Sequence, residues 1–250
     1  MILSSHRLNM VRRSSTTQHP RHFADDERPM NEISLTEVSL LLVMSASALI
    51  LLSMAYDAWR LEITPTPSSR RAREEMIKAC GKQLTSTNYQ EVTIHELGFG
   101  WGGLLFELSQ RRLTEGWSSV TSVQGYELAI LPYLWLTLRL WLMRLWLMRL
   151  WLRLRMSHRS NSEEIQLYRS DCLQAFERAK AGDVLVCYLC PAQMKRIADH
   201  LRRHQPEAEL YLISLTFALP GHEPIERSTV NNLYGDPIYT YRLSSGSSVK

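Results

Sequence analysis

The chain has 250 residues, 45% of them hydrophobic and 22% charged, with a formal net charge of +4. That length holds one domain with a sizeable core plus an appendage. The mild charge balance gives no argument for a nucleic-acid binder, and no basic patch with interleaved aromatics occurs outside one repeat described below. Four cysteines, at 80, 172, 187 and 190, form no disulfide framework and suggest a reducing compartment.

Residues 1–34 read as a disordered basic segment. The first 24 residues carry Arg7, Arg12, Arg13 and Arg21 among Ser and Thr, with no acid. That composition fits a mitochondrial transit peptide, a disordered tail, or an extension upstream of a true start at Met30. From Val38 to Tyr56 no residue is charged. About 20 apolar residues cross the hydrocarbon core, so residues 35–58 are predicted as a single transmembrane helix; the competing reading is a buried helix. Residues 59–72, with Pro65, Pro67, Ser68 and Ser69, read as a linker. Acids precede the span, whereas Arg60, Arg70, Arg71 and Arg73 follow it. The positive-inside rule therefore places the C-terminal domain in the cytoplasm of a bacterium or on the matrix side of a mitochondrion.

The domain is predicted over 73–243 and opens with a helix from Arg73 to Leu84. Val92 and Ile94 then suit a buried strand, followed by Glu96-Leu97-Gly98-Phe99-Gly100-Trp101-Gly102-Gly103 and by Leu104, Leu105 and Leu108 at helical spacing. Strand, glycine loop and helix together aim free N–H groups and a positive helix end at one place, where a nucleotide-like ligand can sit. The glycines fit two patterns. Gly98, Gly100 and Gly103 match the dinucleotide G-x-G-x-x-G, and Glu96, Gly98, Gly100 and Gly102 match the acidic-x-G-x-G-x-G loop of S-adenosylmethionine (SAM) enzymes.

Ser119 to Glu127 reads as a second strand ending in an acid, which can accept hydrogen bonds from ribose hydroxyls; a solvated strand-end carboxylate is the alternative. The helix starting near Ala129 runs into a Leu-Trp-Leu-Met-Arg pentad, written twice over Leu140 to Arg149 and continued to Arg155. Five residues advance a helix by about 140°, so its arginines point in different directions, as in a tandem duplication that lengthens a helix. A second span is disfavoured by the arginines, which cost about 2.5–3.5 kcal/mol each near a bilayer centre, and by the separation of the second and third strands that it would impose. The repeat either rests on a bilayer surface or packs on the domain.

Ile165 to Cys172 reads as a third strand ending in a polar turn. Asp171 there either accepts an adenine amino group or caps the helix Leu173 to Ala179. Asp183 to Pro191 reads as a central parallel strand, apolar throughout. Its Cys187 and Cys190 form a C-x-x-C whose members, on a strand, point to opposite faces and so read as buried apolar residues. Ala192 to His204 is an amphipathic helix, with His200 and His204 on a solvated basic face. Glu209 to Phe217 is a fifth strand, Tyr239 to Leu243 alternates like an edge strand, and residues 244–250 should fray. The whole is an α/β fold, a Rossmann-like, mostly parallel sheet with C-terminal antiparallel strands, preceded by one transmembrane helix.

Glu96 to Gly102, Gly125-Tyr126-Glu127-Leu128, Ser170-Asp171, a strand ending in Pro191 and Phe217 through Pro224 occur in the order found in class I SAM-dependent methyltransferases, which the chain resembles. With its single N-terminal helix and "GYEL", it is similar to the membrane-anchored lysine N-methyltransferases of ATP synthase subunit c and the adenine nucleotide translocase. It departs from them in Trp101-Gly102, where an Asp-Gly is usual, in Ala129-Ile130, where Asn-Pro is usual, and in the pentad. The resemblance implies SAM as cofactor, held by Glu96, Gly98, Gly100, Gly102, Glu127 and Asp171. It implies a protein substrate in the same membrane, with no nucleic acid and no metal. It also implies that Tyr188, Cys190, Pro191 and Phe217 line the acceptor side, and no dedicated base is identifiable. Two other readings stand beside it: a membrane-anchored NAD(P)-binding oxidoreductase, and a non-catalytic nucleotide-binding scaffold.

Overall fold

A computed structural model describes residues 34–61, 68–87, 89–154 and 165–244, with side chains of Leu61 and of 147–154 excepted. The expectations for a disordered start over 1–33, for a start at Met30, for the proline linker at 62–67 and for fraying at 245–250 lie outside the described residues. The chain divides into two compact units, Met1–Met44 and Ser45–Lys250.

Helix α1 spans Leu35–Leu61. It is long and apolar enough to cross a membrane by length and composition. Its side chains from Leu35 to Leu52 are exposed, unlike those of a core helix. Helix α2 runs over Arg70–Ser86, beginning three residues before the expected Arg73. The reason is Ser69, whose side chain accepts from the Ala72 N–H at 3.2 Å and caps the helix. Residues 59–61 and 70–72 are therefore helical, not linker.

The sheet is built by β1 (Val92–Leu97), β2 (Val120–Tyr126), β3 (Ile165–Tyr168), β4 (Val184–Cys187), β5 (Leu210–Leu215), β6 (Glu226–Thr229) and β7 (Pro237–Leu243). Its order is β3-β2-β1-β4-β5-β7-β6. β1 to β5 pair in parallel, while β7 is antiparallel to β5 and β6 antiparallel to β7. The expected Rossmann-like sheet with late antiparallel strands is what the chain forms. Alternation along the strands divides the core between the two faces. Val184 and Val186 pack towards α2 and α3 (Gly103–Thr114), with Met76, Leu105, Leu108 and Leu136. Leu185 and Cys187 pack towards α5 (Gln174–Arg178) and α6 (Pro191–Arg203), with Ala175, Met194 and Ile197. Helix α4 is continuous over Ile130–Leu154 and includes the pentads.

Several expectations are corrected. Tyr239–Leu243 belongs to β7, which is interior; the edge on that side is β6, short and largely exposed, carrying Glu226 and Arg227 as edge strands do. The third strand stops at Tyr168, and Asp171 lies, as expected, in the polar turn that ends it. β4 stops at Cys187, which places Cys190 at the N-cap of α6 and not on the strand; the two form no disulfide. β5 ends at Leu215, because Thr216 turns into the left-handed region at φ 68°.

Candidate cofactor site

The chain leaves β1 and β4 in opposite directions across the sheet, which opens a crevice at their carboxyl ends. A cavity of about 830 Å³ lies there. Glu96 at the end of β1, the loop Gly98 to Trp101, Glu127 after β2, Tyr188 to Pro191 after β4 and Phe217 after β5 line it. The structure thus brings together Glu96, Gly98, Gly100, Glu127, Tyr188, Cys190, Pro191 and Phe217. Trp101 is 37% exposed and does not fill the hollow.

The glycine loop is held at both ends by backbone. Gly98 N–H donates to the Tyr126 carbonyl at 2.8 Å, and Gly102 N–H to the Phe99 carbonyl at 2.8 Å. Gly98, Gly100 and Gly102 stand at φ 73°, 50° and 76°. Gly102 does not line the cavity; it is the N-cap of α3, in the left-handed conformation. A Cβ there would lie 2.6 Å from Cδ1 of Leu136, which is fully buried. Gly103 is already helical, and a Cβ on it would meet nothing closer than Arg73 at 3.5 Å. The three glycines that the backbone requires are therefore 98, 100 and 102.

Glu127 is 7% exposed. Its Oε2 accepts from Gly100 N–H at 2.8 Å, and its Oε1 accepts from Leu128 and Ala129 N–H, each at 2.9 Å. The carboxylate clasps the glycine loop to the end of β2. Three of its roughly four acceptor positions are taken, so Oε2 retains one for an outside donor, fewer than the two ribose hydroxyls expected. Burial pushes its pKa up, against the three backbone donors that lower it.

Glu96 is 5% exposed, and its Oε2 has no hydrogen-bond partner. Burial, then the nearby Glu127 charge, hold its pKa well above the usual carboxylate range; the Leu105 N–H and Arg73 oppose this only in part. This buried oxygen without a partner belongs to a residue that lines the cavity together with Gly100, where a Cβ would meet nothing within 4 Å.

Asp171 lies apart from the large cavity, in a hollow of about 30 Å³ reached past Gly98 and Glu127 and shared with Ser170, Gln193 and Arg196. Its Oδ1 accepts from Leu173 N–H at 3.0 Å and its Oδ2 from Arg196 Nη2 at 2.6 Å. Burial raises its pKa, but the Leu173 N–H and Arg196 outweigh that and leave it below the ordinary value. Arg196 and Gln193 sit one turn apart on α6 and bond to each other at 2.7 Å; their i, i+3 spacing on a helix that follows Pro191 was the available signal, and it was missed. The buried Ser170 hydroxyl has no partner either. Also missed was Phe99, whose ring lies where a side chain on Gly125 would go, 2.6 Å from that Cβ position.

A second buried polar group was not anticipated. Asp183, just before β4, accepts from Thr93 N–H at 2.7 Å and Lys180 N–H at 2.8 Å and lies 3.1 Å from His95 Nε2. It stands at the amino end of the parallel strands, opposite the cavity. Among the described residues, no group of three or more His, Cys, Asp or Glu is placed to hold a metal ion.

No family model and no curated protein matches the chain. Among solved structures, the rRNA methyltransferase aviRa from Streptomyces viridochromogenes is similar at 15% identity and a TM-score of 0.45, over 72% of this chain and 87% of that one. TrmK of M. capricolum, solved with S-adenosyl-homocysteine, is similar at 10% identity and a TM-score of 0.42, over 72% and 70%. An rRNA methylase from Streptococcus thermophilus is similar at 10% identity and a TM-score of 0.40, over 67% and 95%. These likenesses are weak, and the fold is defined by the chain's own strand order and pairing.

Proposed function

We propose that the chain is a SAM-dependent methyltransferase, held at a membrane by α1 and acting on a lysine amine of a protein in that membrane. The observation that carries the reading is the choice between the two glycine patterns. Gly102, not Gly103, is the third glycine that the backbone needs, so the loop is acid-x-G-x-G-x-G led by Glu96. The dinucleotide alternative loses its third glycine, and an antiparallel β7 takes the place beside β5 that a sixth parallel strand holds in the dinucleotide fold.

The residues present fit the cofactor. The Gly98 to Gly100 backbone and the free acceptor position of Glu127, with Glu96 behind them, would hold its polar parts, and the hollow of Ser170, Asp171 and Gln193, at about 30 Å³ too small for the whole base, would meet only its edge. SAM supplies a methyl group on a positively charged sulfur, already activated for displacement. The chain has to align the acceptor and keep water away. Tyr188, Cys190, Pro191 and Phe217 wall the cavity on the acceptor side. A lysine amine, with a reference pKa of about 10.4, must shed its proton before it attacks, and these largely apolar walls favour the neutral amine by withholding solvent from the ammonium.

Anchoring by α1 is supported by its length and composition, and the arginines after it favour a domain on the cytoplasmic or matrix side. Calorimetry of the full chain in detergent with SAM and with NADH tests the cofactor: SAM should bind and NADH should not, and the reverse overturns the reading. Incubation with methyl-labelled SAM and parent membranes tests the acceptor. Label is expected on lysine of a membrane protein; label that a nuclease removes overturns the lysine assignment.

A further inference from the structure

We propose that the exposed face of α4 is a docking surface for a bilayer containing anionic lipid. Pro132 and Leu136 hold the helix to the domain and are buried, whereas Leu134, Trp135, Leu138, Trp141, Leu142 and Trp146 are 49% to 64% exposed. At about 100° per residue these six fall within an arc of about 140° on the side away from Leu136, and no charged residue lies inside that arc as far as Trp146. An unbroken stripe of this width on a surface helix has apolar area to bury and, among the described residues, nothing covering it.

Charge selects the occupant. From Ile130 to Arg155 the sequence has Arg139, Arg144, Arg149, Arg153 and Arg155 and no acidic residue. Two copies of such a helix would repel face to face, while anionic headgroups complement it. The same arginines forbid a spanning arrangement. Trp135, Trp141 and Trp146 are the residue type that settles at headgroup depth, apolar body inward and indole N–H to water. A basic helix with one apolar stripe and repeated tryptophans lies in the interface plane.

Docking also orients the site. Trp135 and Arg139 line the large cavity as well, and Arg139 is held by the Phe106 ring at 4.2 Å. Seating the stripe on lipid therefore brings the cavity wall to the bilayer surface. The docking itself rests on the stripe and the charge alone, and stands whether or not the site transfers methyl groups.

The test uses the full chain reconstituted in vesicles of phosphatidylcholine and phosphatidylglycerol, with lipids brominated high on the acyl chain. Subtracting the spectrum of W141F/W146F from that of the parent isolates the emission of those two tryptophans. That emission should fall to roughly half or less with brominated lipid, resist aqueous iodide, and lose its protection in vesicles without phosphatidylglycerol. L138E/L142E, altered only at exposed positions, should keep its circular dichroism and lose the bromide quenching. Emission indifferent to brominated lipid, or equal quenching in L138E/L142E, overturns the proposal. Iodide protection already present in detergent, with a doubled mass, overturns it in favour of a second copy.

Discussion

Replacing Gly102 by alanine separates the two readings of the glycine loop. The backbone at 102 stands at φ 76°, a conformation that costs an L-residue about 1–2 kcal/mol. The new Cβ would also lie 2.6 Å and 2.7 Å from the two δ carbons of Leu136. Because Leu136 is fully buried, it can yield only by disturbing its neighbours, and overpacking of this kind costs about 1–3 kcal/mol. The sum is about 2–5 kcal/mol, or a fall in Tm of roughly 4–20 °C for a domain of this size. Gly103→Ala is the control. Its Cβ meets only Arg73 at 3.5 Å, and alanine in a helix gains up to about 1 kcal/mol over glycine. Unfolding of both variants followed by circular dichroism, with SAM affinity measured by calorimetry, decides the matter. Equal destabilisation by the two substitutions, or loss of nucleotide binding by a well-folded Gly103→Ala alone, would refute the reasoning.

Other outcomes follow from the same geometry. Burial and the Glu127 charge raise the pKa of Glu96, so its folded form holds its proton more tightly than the unfolded chain does. The wild type is thus fully stable with respect to this group only below the ordinary carboxylate pKa, near 4.3, and loses stability as pH rises towards the raised value. Glu96→Gln should therefore be the more stable protein at pH 8, with the gap closing towards pH 4; a gap independent of pH would contradict this account. Thr216, β-branched at φ 68°, carries strain of about 1–3 kcal/mol, and Thr216→Gly should raise the denaturation midpoint. A lowered midpoint would show the turn before Phe217 to be unstrained. Asp183→Ala strips the acceptor from Thr93 and Lys180 N–H and from His95, and should cost about 3–5 kcal/mol. SAM affinity of the folded fraction should remain unchanged, since the group sits at the opposite end of the strands; a matched loss of affinity would tie it to the site.

Much of this architecture was legible in the residue order because the signals are local. Val92 and Ile94 before a glycine cluster, and Leu104, Leu105 and Leu108 after it, mark strand and helix through their own periodicity. Elements whose status depends on neighbours were misread. β7 alternates in burial like an edge strand, and only its pairing with β5 on one side and β6 on the other makes it interior. The C-x-x-C appeared to lie on one strand because nothing before Pro191 announces that β4 stops at Cys187.

The candidate site divides in the same way. By itself the sequence determined the layered α/β class, the glycine loop after the first strand and the acids at 96 and 127 beside it, all of which follow from hydrophobic period and glycine spacing within a few residues. Tertiary structure alone decided which glycine is third, because the atoms that exclude a side chain at 102 belong to Leu136 on α4. It alone gave Glu127 its clasp on the Gly100 N–H and left Glu96 Oε2 without a partner. These are contacts between segments far apart along the chain, and spacing carries no information about which atoms meet once the sheet has closed.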